Sequence, residues 1–301
     1  MLSRLLLPVV ALSIIAALPL RAAGPPVPED VIFEKDIEYA NPDNQHLQVD
    51  LAMPKKAEGT LPAIVCIHGG GFRAGKRTGY DKMVQTLAQH GYVAITVEYR
   101  LAPAYKFPAA VQDCKTAVRW LRANAAKYHV DPKRIGVMGG SAGGHLALYL
   151  GATAGRPEFE GEGNNDQSSA VSCVVSYYGP SDFTKSYGAS VDAAEVLPLF
   201  LGGNLEEKHR EHIIASPLYW VTPDAPPTLC IHGTDDKYVA YAQAQWMVDK
   251  LKASAVEAEL MTIEGAGHGF KFDDKEKTKA ANDKADAALL EFFDKHFKSA
   301  R

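Results

Sequence analysis

The chain has 301 residues, 47% of them hydrophobic and 23% charged, and carries a net charge of −4. At this length roughly 75% of the unfolded surface can be buried, so a core needs neither disulfides nor a metal. The mildly acidic balance excludes the electrostatic footprint of a nucleic-acid binder and any polybasic membrane patch.

The first segment reads as an address rather than as fold. Met1 to Arg4 hold one positive charge, the apolar run Leu5 to Leu20 holds none, and Ala22 and Ala23 precede Gly24-Pro25-Pro26-Val27-Pro28. Charge, apolar run and small residues in that order predict a signal peptide over 1–23, and so a secreted or periplasmic protein. The run includes Pro8 and Pro19 and falls short of the ~20 residues that cross a bilayer, so no stable membrane association is expected once it is cleaved. Retention as an anchor is the alternative reading.

The remainder, 24–301, reads as one domain. Val31 to Tyr39 and Leu47 to Met53 come first and pair as a hairpin-like unit, the second alternating Leu47, Val49 and Leu51 as a half-exposed strand should. Continuous apolar runs follow at Ala63 to Ile67, Val93 to Val97, Ile135 to Met138, Val171 to Tyr177 and Thr228 to Ile231, then the more polar Glu257 to Ile263. Runs of that kind suit strands buried on both faces. Helical stretches alternate with them: Tyr80 to His90, Ala109 to Lys127, Ala142 to Thr153, Ala240 to Lys252 and Lys277 to Phe297. Strand and helix in alternation predict an α/β fold, a mostly parallel eight-stranded sheet with helices on both faces. A strandless insertion at about 180–227 is long enough to be a small lid or binding loop. Cys66, Cys114, Cys173 and Cys230 have no framework or metal spacing, and free cysteines packed as small hydrophobes are expected.

Chemistry concentrates at three loops. Gly139-Gly140-Ser141-Ala142-Gly143 lies between an apolar strand and a helix. That context makes Ser141 a nucleophile raised on a sharp strand-to-helix turn, with glycines where the flanking chains must touch. His68-Gly69-Gly70-Gly71-Phe72 follows another strand, and its unshielded amides, with that of Ala142, can converge on an oxyanion. Downstream, Asp235 and Asp236 follow one strand and His268 sits among glycines after the last. The order Ser, Asp, His is that of α/β-hydrolases, with either carboxylate able to orient His268 as the base. Gly70 to Lys76 also begins a phosphate-binding loop, but Arg77 stands where that motif needs Ser or Thr, so no nucleotide is expected. No histidine spacing suggests a metal, and none is expected.

With these residues in view the chain resembles the hormone-sensitive-lipase-like esterases and, more closely, the bacterial feruloyl/acetyl-xylan esterase group. The likeness runs from about Val31 to Phe297. It rests on His68-Gly69-Gly70-Gly71-Phe72, Tyr99-Arg100-Leu101-Ala102-Pro103, Phe107-Pro108-Ala109-Ala110, Gly139 to His145, Ala215-Ser216-Pro217, His232-Gly233-Thr234-Asp235-Asp236 and Gly267-His268-Gly269-Phe270. The resemblance implies oxyanion donors at Gly70, Gly71 and Ala142, Asp236 as the acid, no cofactor, and an aromatic-lined lid. Expected activity is hydrolysis of short-chain esters, such as acetyl or feruloyl groups on carbohydrate. The same fold and triad also serve arylformamidases and peptidases, and the fold alone serves hydrolase-like binding modules, which typically lack the serine or the histidine. Tyr187, Phe200 and Trp220 of the insertion are the expected substrate contacts, with Phe72 and Phe270 narrowing the acyl side.

Overall fold

The computed structural model describes residues 26–191 and 193–298; the expected signal peptide lies outside them. Eight strands form one sheet: β1 (Val31–Ala40), β2 (Leu47–Pro54), β3 (Leu61–Ile67), β4 (Val93–Val97), β5 (Val130–Gly140), β6 (Val174–Tyr177), β7 (Thr228–Gly233) and β8 (Ala258–Ile263). Their spatial order is β1-β2-β4-β3-β5-β6-β7-β8. The first pair is antiparallel, β2 meets β4 antiparallel, and every later pair is parallel.

The apolar runs are continuous because both sheet faces are covered. Along β3 and β4, Val65, Ile67, Ile95 and Val97 pack on one side, Ile64, Cys66 and Ala94 on the other. Helices α2 (Ala109–Ala123), α3 (Ala142–Ala152) and α6 (Ala242–Ala253) cover the first face, α1 (Asp81–Gln89) and α7 (Lys275–Phe297) the second. All four cysteines are free and buried. Helix α7 starts where Asp274 accepts a bond from the Lys277 amide at 2.9 Å, an N-cap. Helix α2 ends earlier than its pattern suggests. The Asn124 amide side chain donates to the Trp120 carbonyl at 2.9 Å, satisfying a terminal acceptor.

The insertion is helical rather than irregular, with α4 (Ala193–Leu201) and α5 (His209–Ile214). The loops after β3, β5, β6, β7 and β8 all leave the carboxyl edge of the parallel strands, where open α/β sheets gather their chemistry.

Candidate active site

Ser141 joins β5 to α3 with φ 57 and ψ −121, a conformation side-chain-bearing residues seldom adopt. Its neighbours explain how that turn survives. A Cβ on Gly143 would lie 2.0 Å from the Ile67 carbonyl oxygen, and one on Gly139 2.3 Å from that of Gly143. The Ser141 amide donates to the Tyr177 carbonyl at 2.9 Å, tying the turn to the next strand.

Three side chains from three loops then meet. Ser141 Oγ lies 2.9 Å from His268 Nε2, and His268 Nδ1 2.8 Å from Asp236 Oδ2. With Nδ1–H donating to the carboxylate, Nε2 is left to accept the serine proton. Asp235 is exposed and makes no side-chain bond to His268 among the described residues. Asp236 is buried, which works against its charge. Hydrogen bonds from His232 and His268 and from the Val239 amide reverse that effect, holding its carboxyl well below the usual carboxylate range. His232 also bonds the Val239 carbonyl at 2.8 Å, so it braces the acid loop.

The serine opens onto a cavity of about 630 Å³ that is also lined by Gly70, Gly71, Ala142 and His268. The glycine loop is held by a turn in which the Ala74 amide donates to the Gly70 carbonyl at 3.0 Å. Arg77, the residue that breaks the phosphate-loop pattern, is buried and donates to Asp50 and Glu98 at 3.0 Å each. Its guanidinium is therefore committed to holding the following segment in place. Among the described residues no group of three or more His, Cys, Asp or Glu is placed to hold a metal.

The expected substrate aromatics are placed differently. Phe72 lines the cavity, but it is buried and stacked on Phe200 with ring centres 3.9 Å apart. Phe200 sits behind it, away from the opening. Tyr187 spends its hydroxyl on His212 at 2.9 Å, and Trp220 donates to the Ile214 carbonyl at 2.7 Å; neither lines the cavity. Phe270 is fully buried against Tyr177 and Tyr178. Apolarity marked these rings, and apolar rings fill the core when space allows. The cavity wall instead uses Tyr80, Tyr178 and Tyr238 of the main domain, with Phe183, Val196 and Leu197 of the insertion. Tyr178 had a readable signal, since it immediately follows β6 at the carboxyl edge.

Comparison with known proteins places this architecture. A carbohydrate esterase from gut microbiota, in truncated form, superposes with TM-score 0.74 at 26% identity, covering 88% of this chain and 96% of that one. A thermophilic esterase of Thermogutta terrifontis, solved with propionate, gives TM-score 0.72 at 29% identity over 86% and 93% of the two chains. Esterase LipC of Mycobacterium tuberculosis is 35% identical over 75% of this chain and 56% of its own length. This chain thus spans little more than half of that relative. Residues 49–251 match the BD-FAE family, and with more than half of its length so matched on an eight-stranded α/β-hydrolase sheet, the chain belongs to that family.

Proposed function

We propose that the protein is an exported serine carboxylesterase that hydrolyses short-chain esters, among them acetyl or feruloyl esters of carbohydrates. The observation that carries this reading is the unbroken relay Ser141 Oγ to His268 Nε2 to Asp236 Oδ2, at 2.9 and 2.8 Å, on a strained turn facing a cavity. In the proposed reaction Ser141 Oγ attacks the ester carbonyl while His268 Nε2 takes its proton. The carbonyl oxygen gathers charge against the amides of Gly70, Gly71 and Ala142. Collapse breaks the bond to the alcohol oxygen, which receives the proton from His268. Water, deprotonated by the same nitrogen, then releases the acid and restores Ser141.

The substrate reading draws on the carbohydrate esterase and the other esterases to which the chain is similar. The short-chain preference draws on the buried Phe72 ring, which lines the cavity and is backed by Phe200 stacked 3.9 Å behind it. An acyl tail that cannot be buried forfeits about 0.8 kcal/mol per methylene. Export rests on the N-terminal residues alone.

The test is a panel of p-nitrophenyl acetate, butyrate and octanoate beside acetylated xylan and methyl ferulate. The reading expects kcat/KM to be highest at two to four carbons and acetate or ferulate to be released. A maximum at eight carbons, or no hydrolysis of any ester, contradicts it.

A further inference from the structure

Gly140, inside the nucleophile turn, is small for a reason outside the turn. A Cβ there would lie 2.8 Å from the Tyr80 hydroxyl and 3.1 Å from the Tyr178 hydroxyl. Two phenol oxygens therefore occupy the space that a side chain next to Ser141 would fill. Both tyrosines line the cavity, and among the described residues neither hydroxyl has a hydrogen-bond partner. Each phenol can donate and accept one bond, so both hydroxyls are free to bond a molecule that enters the cavity.

Each ring is held in place by its backbone. Tyr178 has φ 42, in the left-handed region, with its amide bound to the Ile231 carbonyl at 2.8 Å. Backbone strain in a bulky residue beside a reaction centre points to a role there. Tyr80 ends the short helix Arg77–Tyr80 that buried Arg77 anchors. Burial raises both phenols, Tyr178 to about 12, so each is a neutral donor and acceptor at physiological pH.

Their place along the reaction path follows from His268. The leaving oxygen takes its proton from Nε2, so the alcohol departs beside that ring, and the Tyr178 ring packs against it at 4.8 Å. Tyr238, half exposed at the rim, flanks His268 at 5.4 Å. Beside the oxyanion loop, Val196 lies 3.4 Å from a Cβ on Gly71, and it lines the cavity together with Phe72 and Leu197, apolar side chains that suit the acyl group. We propose that Tyr80 and Tyr178 form the leaving-alcohol subsite and select alcohols that bear further hydroxyl groups near the ester. This rests on the ester-hydrolysis reading above and adds the residues that recognise the alcohol.

Glyceryl monoacetate and propyl acetate share the acyl group and a three-carbon alcohol, differing by two hydroxyls. The wild type should favour the glyceryl ester, and Tyr80→Phe/Tyr178→Phe should lower the glyceryl-to-propyl ratio of kcat/KM by at least about tenfold. A merely structural role slows both esters together and leaves the ratio unchanged, which overturns the proposal. Wild-type protein also serves without any variant. Acetyl-enzyme formed from p-nitrophenyl acetate, offered equal glycerol and 1-propanol, should yield more glyceryl than propyl ester; the reverse yield overturns the subsite. Failure to hydrolyse any acetate would instead remove the esterase reading on which it stands.

Discussion

His268 Nδ1 stands 2.8 Å from Asp236 Oδ2, while Asp235, one residue earlier, points to solvent. The carboxylate that fixes the imidazole is therefore the one whose other oxygen accepts amides of Tyr238 and Val239 at 2.9 Å. Asp236→Asn should lower kcat/KM by about a thousandfold or more, by losing the acceptor that holds the tautomer. Asp235→Asn should stay within about threefold of wild type, as suits an exposed position. Equal losses, or a larger one at 235, contradict the arrangement.

The turn itself predicts a steric effect. With a Gly143 Cβ only 2.0 Å from the Ile67 carbonyl, Gly143→Ala must push β3 and α3 apart. A destabilisation of about 2 kcal/mol or more is expected in urea unfolding, with activity lost in parallel. A stable, active alanine variant would show that the contact relaxes freely.

His145 is fully buried, its Nδ1 bonded to the Pro180 carbonyl at 3.0 Å, and burial pushes its pKa down to about 3. Unfolding restores an ordinary value near 6.5, so the unfolded chain binds a proton that the folded chain refuses. The contribution is present above that value and is lost as pH falls toward the folded one. Between about pH 6 and 5 stability should drop with an extra slope of about 1.4 kcal/mol per pH unit, which His145→Gln removes. Urea midpoints across that range decide it; parallel curves for the two proteins contradict it.

Trp220 donates to the Ile214 carbonyl from a half-buried position and does not line the cavity. Trp220→Phe should therefore cost about 1 kcal/mol of stability while KM for p-nitrophenyl acetate stays within about twofold. A large rise in KM would return this ring to the substrate site.

Much of the framework was legible because it obeys local rules. Runs such as Ala63 to Ile67 are apolar at every position, and only a doubly covered strand needs that. The spacing of Gly139, Ser141 and Gly143 is a steric requirement written in residue type, and the turn is found there. The wall of the cavity was legible only in part. Phe200 and Tyr178 are both aromatic in sequence, but one packs behind Phe72 and the other faces the serine. Tyr178 could be placed by its position just after β6, but that Phe200 packs behind Phe72 is a tertiary fact with no local signature. Gly140 likewise reads as one more glycine of a turn until two distant phenols are brought beside it.

The central claim is that Ser141 is the nucleophile, and the most direct measurement is the turnover of p-nitrophenyl acetate by Ser141→Ala beside the wild type. Circular dichroism and urea unfolding show whether the variant keeps its fold. The account predicts a folded protein whose kcat is lower by about a thousandfold or more. A folded Ser141→Ala protein within tenfold of wild-type activity would contradict it.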